Sequence, residues 1–302
     1  MRVRVVTALV GVPLLLLLVF WPGGAPLVLA VGVLATIALW EFYRGARAVG
    51  AAPAAGFGYA AVWLFLLSAV PLLDSVPAGS RATGPPLAGP RADFLFQAGF
   101  ALLLMASLVA ELARRDRAPL RNLGPTWLGA IYIGWLFPYT VRVRLAGAAL
   151  LARLDWYPAR LPDWLASVDA GAWLLLFTLG LTWAADTGAY LVGKRWGRHR
   201  MAPVLSPGKT WEGLAGGFVA TVLVAGLLGA VCLRFPLGWS LATGLLIGAL
   251  APLGDLVKSA FKREIGIKDF GALIPGHGGV LDRFDSLLFT APAVYFSLLW
   301  WP

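Results

Sequence analysis

Charged side chains are scarce in this chain. Only 13% of its 302 residues are Asp, Glu, Lys or Arg, whereas a soluble globular domain has about a quarter. The chain is instead 59% hydrophobic, with 14 Trp and 16 Phe, and its mean hydropathy is +0.78. This composition argues against an ordinary water-soluble domain and predicts an integral membrane protein.

Cysteine and histidine are nearly absent as well. The single Cys232 excludes an intramolecular disulfide framework and a cysteine-based zinc site, and the chain has only two His. Lys and Arg outnumber Asp and Glu by 25 to 15, which gives a formal charge of +10. Anionic lipid headgroups are the expected counterpart of this charge. Nucleic acid is not expected, because no recognition motif accompanies the basic residues.

Long apolar runs divide the chain. A helix that crosses a bilayer needs roughly 20 mostly apolar residues, and nine runs approach that length. We therefore predict an all-α, polytopic membrane protein with about nine transmembrane helices. The predicted spans cover residues 5–21, 26–43, 55–73, 94–113, 124–140, 171–192, 213–233, 236–257 and 286–301.

The N-terminal span could belong to a secretory signal, because Arg2 and Arg4 precede it. No small-residue cleavage pattern follows, so we favour a retained helix. Lys and Arg are held preferentially on the cytoplasmic side of a membrane. A cytoplasmic N-terminus places 18 of the 25 basic residues on that side, and this is the predicted orientation.

The acidic residues are unevenly distributed along the chain. Seven of the 15 lie from Asp186 onward, mostly beside predicted spans on the cytoplasmic side. We therefore predict scaffold helices over residues 1–170 and a catalytic region over residues 171–302. The predicted connections are an external loop at 74–93, an interfacial segment at 141–170, and cytoplasmic loops at 193–212 and 258–285.

Two acidic residues fall near the cytoplasmic ends of spans. Asp186 is predicted to be functional because ionisable groups are costly in a membrane; the alternative is a structural Asp bonded to a neighbouring helix or to Lys194. Asp255 follows Pro252 and Gly254, which predict a break or kink in the helix. Carbonyls freed there, beside a carboxylate, would suit a cation. The alternative for Asp255 is helix capping.

The segment Ser206-Pro207-Gly208-Lys209-Thr210-Trp211-Glu212-Gly213 partly resembles a phosphate-binding loop. Pro203 stands where that motif needs a Gly, and no strand is predicted before it, so the motif is rejected. Lys209 and a helix beginning near Thr210 would still attract a phosphate. An ordinary basic loop is the alternative.

The region after Ser259 brings Asp282 and Asp285 together. If a helix begins around Leu281, these carboxylates are three residues apart and share a face, where like charges repel. Mg²⁺ would resolve the repulsion, because it takes oxygen ligands, keeps waters and recruits phosphates. The alternative is neutralisation by Arg283 and nearby lysines. Positive φ angles or close backbone approach are expected at three glycines, namely Gly276, Gly278 and Gly279.

These residues resemble a known signature. The pattern runs Ser259-x-Phe261-Lys262-Arg263, four residues, Lys268-Asp269-x-Gly271, two residues, Ile274-Pro275-x-His277-Gly278-Gly279-Val280-x-Asp282-Arg283-Phe284-Asp285. It is similar to the signature of phosphatidate cytidylyltransferases, also called CDP-diacylglycerol synthases. The segments 206–213 and 186–190 also look like features of that family, and the resemblance is strong over residues 180–290.

The resemblance implies a reaction in which CTP and phosphatidic acid give CDP-diacylglycerol and pyrophosphate. It also implies a bacterial-type inner membrane, an active site facing the cytoplasm, and Mg²⁺ with a monovalent cation such as K⁺ nearby. A homodimer is left open. The predicted metal ligands are Asp255, Asp282 and Asp285. The predicted catalytic residues are Lys209, Lys262, Arg263, His277 and Arg283. The predicted substrate-binding residues are Ser206, Thr210, Lys268, Gly278, Gly279 and Asp186.

Two other functions are weighed beside this one. A related CTP-using lipid enzyme, such as a polyprenol kinase or an ether-lipid CDP synthase, would use the same phosphate and metal groups. An ion-coupled transporter with acids at broken helices would explain Asp186 and Asp255. It would not explain the polar segment of about 27 residues that ends at Asp285.

Overall fold

The computed structural model describes residues 2–70, 90–115, 117–151, 169–276 and 278–300, which are mostly helical. In these residues the α-helices are α1 (Arg2–Phe20), α2 (Ala25–Ala48), α3 (Ala55–Ala69), α4 (Pro90–Leu112), α5 (Pro119–Gly129), α6 (Tyr139–Leu151), α7 (Ala170–Trp196), α8 (Trp211–Val224), α9 (Leu237–Ile265) and α10 (Leu281–Trp300). Short π-helical segments, Ala130–Trp135 and Ala225–Cys232, continue α5 and α8.

Five described helices are long and apolar enough to cross a membrane. Each of the nine predicted spans overlaps a described helix, while the number nine and the orientation of the N-terminus stay predictions. Residues 74–89 of the predicted external loop and residues 152–168 of the predicted interfacial segment lie outside the described residues. The candidate membrane-crossing segments are Ala25–Ala48, Phe94–Leu112, Ala170–Trp196, Trp211–Ala230 and Leu237–Ile265.

A small β-hairpin departs from the all-α prediction. Strands β1 (Arg200–Ala202) and β2 (Ser206–Thr210) pair antiparallel, with Arg200 opposite Thr210. The Arg200 guanidinium donates a hydrogen bond to the carbonyl of Pro207 at 2.5 Å. Sequence patterns missed the hairpin because its strands are short and β2 contains Pro and Gly, which are depleted in strands. The strand judged absent before α8 is therefore present.

By its internal contacts the chain divides into two compact units. The first unit comprises Met1–Ala146 and Ile265–Arg283, and the second comprises Gly147–Glu264 and Phe284–Pro302. Residues 265–283, which the sequence assigned to the catalytic region, thus pack with the N-terminal helices. Each unit has its own buried centre.

Aromatic side chains dominate one part of the first unit. Phe65 and Ala61 of α3 are buried with Ala130, and phenylalanines of α4 pack around them. A second tie joins α2 to α5, because the Tyr43 hydroxyl donates a hydrogen bond to the Thr126 carbonyl at 2.6 Å. These contacts hold α3 to α4 and α2 to α5.

Small residues let α7 and α8 approach closely in the second unit. A Cβ on Gly188 would lie 2.5 Å from Ala220 Cβ and 2.7 Å from the Gly216 carbonyl oxygen, a spacing that only glycine permits. The hydroxyls of Thr182 on α7 and Thr290 on α10 are 2.8 Å apart and share a hydrogen bond. This packing positions the C-terminal half of α7 beside the start of α8.

Candidate functional site

Lys258 on α9 lies between two carboxylates in the second unit. Its Nζ is 2.8 Å from Asp255 Oδ1 and 2.6 Å from Asp285 Oδ2. The first contact is local, because residues three apart share a helix face. The second is a tertiary contact with α10, and both Lys258 and Asp285 are buried there. One ammonium group therefore offsets much of the repulsion between the two carboxylates.

Lys209, at the end of β2, approaches Asp255 from the other side. Its Nζ is 2.9 Å from Asp255 Oδ2 and donates a hydrogen bond to the Pro252 carbonyl at 2.8 Å. Asp255 is thus held between two lysines. Two carboxylates and two ammonium groups, counting Asp285 and Lys258, give a cluster without net charge.

Helix α9 runs unbroken through Pro252. Of the predicted break or kink, the break is therefore wrong and the kink stays a prediction. The predicted cation position beside Asp255 is nevertheless used, because the Lys209 ammonium binds both the Pro252 carbonyl and the Asp255 carboxylate. The position predicted from Pro252 and Asp255 to attract a cation therefore holds a side-chain ammonium group in this structure.

Gly254 allows α9 and α10 to meet at this cluster. A Cβ at position 254 would lie 2.6 Å from the backbone oxygen of Asp285 and 3.1 Å from the Cα of Ser286. No side chain fits at such distances without moving a helix. Gly254 therefore determines how closely Asp255 and Asp285 approach, although it carries no chemistry itself.

A cavity of about 270 Å³ opens beside the cluster. It is lined by Lys209 and Asp255, by Asp186 and Tyr190 of α7, and by Thr210 at the start of α8. Asp186, a predicted substrate-binding residue, thus lines the same cavity as Lys209 and Asp255. A cavity with a lysine, carboxylates and a helix N-terminus in its wall can bind an anion and the cation that accompanies it.

Side chains of the hairpin order the start of α8. Thr210 is its N-cap, and the Thr210 hydroxyl accepts a hydrogen bond from the Gly213 N–H at 3.1 Å. Glu212 reaches back to accept from the backbone N–H of Arg198 at 3.1 Å and of His199. The side-chain N-cap confirms the helix start predicted near Thr210.

Arg263 and Ser206 belong to the surroundings of this hairpin. Arg263 Nε donates to the Leu205 carbonyl at 3.1 Å, so it braces the turn between β1 and β2. Ser206 begins β2. Among the other predicted residues, Lys262 is half-buried and Lys268 and Arg283 are exposed, while His277 lies outside the described residues.

Asp282 lies in the first unit, where backbone groups hold it. Its Oδ2 accepts hydrogen bonds from the N–H of Phe270 at 2.8 Å and of Gly279 at 3.2 Å. The helix start predicted at Leu281 is confirmed. Gly278 has a φ of +85°, and a Cβ there would lie 3.2 Å from Asp282 Oδ2. The loop therefore folds tightly against the Asp282 carboxylate.

Two charged residues that contact predicted ligands or their loop were missed. Lys258 could have been found from its position three residues after Asp255 on one helix. Glu41 of α2 accepts hydrogen bonds from the backbone N–H of Val280 and Leu281 at 3.1 and 2.9 Å. A carboxylate inside an apolar span was its only sequence signal.

Oxygen donors in the second unit suit Mg²⁺. Among the described residues there is no group of three or more His, Cys, Asp or Glu that could hold a metal ion. Mg²⁺ does not need such a group, because it keeps several waters and is bound through one or two carboxylates plus phosphate oxygens. Asp255 and Asp285 supply such a pair, and each carboxylate has lone pairs beyond those that face the lysines.

Comparison with known proteins gives similarity along the whole chain. The profile of the Cytidylyltransferase family matches residues 2–301. The phosphatidate cytidylyltransferase of Synechocystis is 34% identical over 310 residues, covering 98% of this chain and 96% of that protein. The Bacillus subtilis phosphatidate cytidylyltransferase is 31% identical over 299 residues, covering 99% and 97%. The uncharacterized protein YnbB of Escherichia coli is 41% identical over 171 residues, covering 57% and 53%.

Proposed function

The chain belongs to the cytidylyltransferase family, and we propose that it transfers CMP from CTP to phosphatidic acid. In this reaction a phosphate oxygen of phosphatidic acid forms a bond to the α-phosphorus of CTP. The bond from that phosphorus to the bridging oxygen breaks, and pyrophosphate leaves with the electron pair. The products are CDP-diacylglycerol and pyrophosphate.

The observation that carries this proposal is the cavity wall in which Lys209, Asp255 and the start of α8 meet. The nucleophile is already anionic, so the reaction demands no strong base. Its obstacle is the repulsion between two polyanions. Positive groups that are preorganised around the phosphates lower that barrier, and Lys209 with the N–H groups of α8 supplies them.

We assign Lys209 to a phosphate of CTP. Thr210 orders the adjacent helix start, and its hydroxyl is engaged by the Gly213 N–H. The remaining proposed phosphate contacts are Lys262, Arg263 and Arg283, and His277 is proposed as a polar contact or proton donor. The remaining proposed substrate-binding residues are Ser206, Lys268, Gly278, Gly279 and Asp186.

Asp255, Asp282 and Asp285 are the proposed ligands of Mg²⁺, with K⁺ as an accompanying cation. When bound, Mg²⁺ supplies positive charge to the phosphates of the nucleotide. The residues of the chain do the rest: Lys258 keeps Asp255 and Asp285 close together, and the backbone N–H groups of Phe270 and Gly279 orient Asp282.

The proposed setting is a bacterial inner membrane with the site on its cytoplasmic face. Five helices in the described part of the chain can cross a bilayer. The excess of Lys and Arg on the side of the N-terminus supports the orientation. Phosphatidic acid would then reach the site from the bilayer and CTP from the cytoplasm.

The test is an assay of purified protein with CTP labelled in its cytosine ring, phosphatidic acid and Mg²⁺. We expect the label in the lipid phase and one pyrophosphate for each labelled lipid. Phosphorylated lipid with free CDP would indicate a lipid kinase and contradict the proposal. Asp255→Asn should abolish the product, while Glu264→Gln, an exposed carboxylate on the same helix, should not.

A further inference from the structure

Glu41 is a buried carboxylate that the proposed reaction does not use. It lies on α2 with 1% of its surface exposed. Its two oxygens accept hydrogen bonds from successive backbone groups, the N–H of Val280 to Oε1 and the N–H of Leu281 to Oε2. Leu281 is the first residue of α10. A carboxylate at this position satisfies donors that the helix cannot satisfy itself, and its charge complements the helix dipole.

The loop backbone is shaped to fit the Glu41 carboxylate. A Cβ on Gly271 would lie 2.1 Å from Glu41 Oε1, and a Cβ on Gly279 would lie 2.5 Å from both Glu41 oxygens. Real Cβ atoms do not approach oxygen so closely, so both positions require glycine while Glu41 is in place. The glycines and the carboxylate therefore form one interlocked unit, although more than 200 residues separate them in the chain.

Asp282 is held by the same stretch of backbone. The N–H of Gly279 donates to Asp282 Oδ2, and the next two N–H groups donate to Glu41. Arg44, one turn further along α2, donates to the carbonyl of Phe270, whose own N–H donates to Asp282. Helix α2 therefore forms hydrogen bonds with the loop next to both backbone N–H groups that orient Asp282.

We propose that Glu41 is a positioning residue that fixes the start of α10 and thereby orients Asp282. The inference rests on the proposed function, in which Asp282 is a ligand of Mg²⁺. Groups that orient a metal ligand typically change metal affinity or activity by about 10–100-fold when they are lost. A purely structural role would alter stability without changing the dependence on Mg²⁺.

Glu41→Gln is the informative variant, because the amide has nearly the same shape. It keeps one acceptor and places an NH₂ group against a backbone N–H, so one hydrogen bond is lost. The matched control is Glu111→Gln. Glu111 is also buried in the first unit, but it accepts from Asn122 and from the backbone of Ala118, away from the loop.

Two measurements are made on both variants in detergent micelles. The first is the hydrogen exchange of the peptide that contains Val280 and Leu281. The second is the Mg²⁺ concentration that gives half-maximal cytidylyltransfer. For Glu41→Gln we expect about tenfold faster exchange at these amides and about a tenfold higher Mg²⁺ requirement. For Glu111→Gln we expect neither.

The proposal is overturned if Glu41→Gln and Glu111→Gln have the same Mg²⁺ requirement, even where exchange at residues 280 and 281 differs. It is overturned equally if that exchange is the same in both variants. Should Glu41→Gln fail to fold, Glu41→Asp replaces it. This variant keeps the charge but shortens the reach, and it must show both effects in smaller measure or the proposal fails. If the wild-type protein makes no CDP-lipid, the proposed function is wrong. The exchange measurement still tests whether Glu41 fixes the start of α10.

Discussion

The two units satisfy their buried and half-buried carboxylates in different ways. In the first unit, Glu41 and Asp282 accept hydrogen bonds from backbone N–H groups of one loop. In the second unit, Asp255 and Asp285 face lysine ammonium groups. Backbone donors need close approach, and glycines at 271 and 279 provide it. Lysine side chains reach across helices, so the second arrangement depends on charge rather than on a particular loop conformation.

This contrast has consequences for substitutions. A carboxylate held by backbone N–H groups can become an amide and keep one acceptor, so the fold should survive while the charge is lost. A carboxylate held by a lysine loses its partner when that lysine is removed, and a buried charge is left uncompensated. Replacing a carboxylate in the first unit should therefore leave the fold intact, whereas removing a lysine in the second unit should destabilise it.

The largest expected effect is a loss of activity caused by a substitution in the first unit. Asp282→Asn should leave the protein folded, because the amide oxygen can still accept from Phe270 and Gly279. Cytidylyltransfer should fall by at least about 10²–10³-fold, since a group that stabilises charge in the transition state is lost. Product formation and thermal unfolding, measured side by side with Glu264→Gln, check this. Substantial retained activity would remove Asp282 from the proposed metal site.

Lys258→Met removes the ammonium group that Asp255 and Asp285 share. Asp255 and Asp285 would face each other without the shared ammonium group, and breaking a buried ion pair costs about 3–5 kcal/mol. We expect the free energy of unfolding in detergent to fall by about that amount. Adding Asp285→Leu should recover most of the loss without restoring activity. An unchanged free energy of unfolding in Lys258→Met alone would show that the cluster does not depend on this ammonium.

Gly254→Ala probes the approach of α9 to α10. The new Cβ would lie 2.6 Å from the Asp285 carbonyl oxygen, and overpacking of this kind costs about 1–3 kcal/mol. Activity should fall as well, because Asp255 and Asp285 are pushed apart. Gly226→Ala is the control, since its Cβ would meet only Leu241, at 3.6 Å. Equal behaviour of the two variants in activity and unfolding assays would contradict the prediction.

Thr210→Ala should have the smallest effect. It removes the N-cap of α8, whose hydroxyl accepts from Gly213 N–H, and loss of such a cap costs about 1 kcal/mol. Thr210→Ser keeps the hydroxyl and should remain near wild type in the same chemical unfolding experiment. A loss as large as that of Lys258→Met would mean that Thr210 does more than cap the helix.

Local features of the site were predictable from sequence. Thr210 at a helix start, Leu281 at the beginning of α10, and positive φ at Gly276 and Gly278 are all confirmed. Each depends on neighbouring residues only, because capping and left-handed backbone are local properties. Of the break or kink predicted at Pro252, the break was wrong, since packing can hold a helix together at the cost of one hydrogen bond.

Contacts between residues that lie far apart in the sequence were not predictable. From the sequence we expected the repulsion between Asp282 and Asp285 to be offset either by a metal or by Arg283 and nearby lysines. In the structure Asp285 contacts Lys258, and Asp282 contacts backbone. Glu41 gave only the signal of a charge within an apolar span. Nothing in local patterning says which distant backbone groups such a carboxylate will meet.

The amino-acid sequence by itself determined the apolar helices, their caps and the positions of the glycines, because hydrophobic burial and backbone conformation act over a few neighbouring residues. Only the tertiary structure decided which lysine faces which carboxylate and that Glu41 accepts hydrogen bonds from the start of α10. Those choices depend on contacts between segments 27 to 240 residues apart. They also depend on glycines that let backbones meet, as at Gly254 and Gly279.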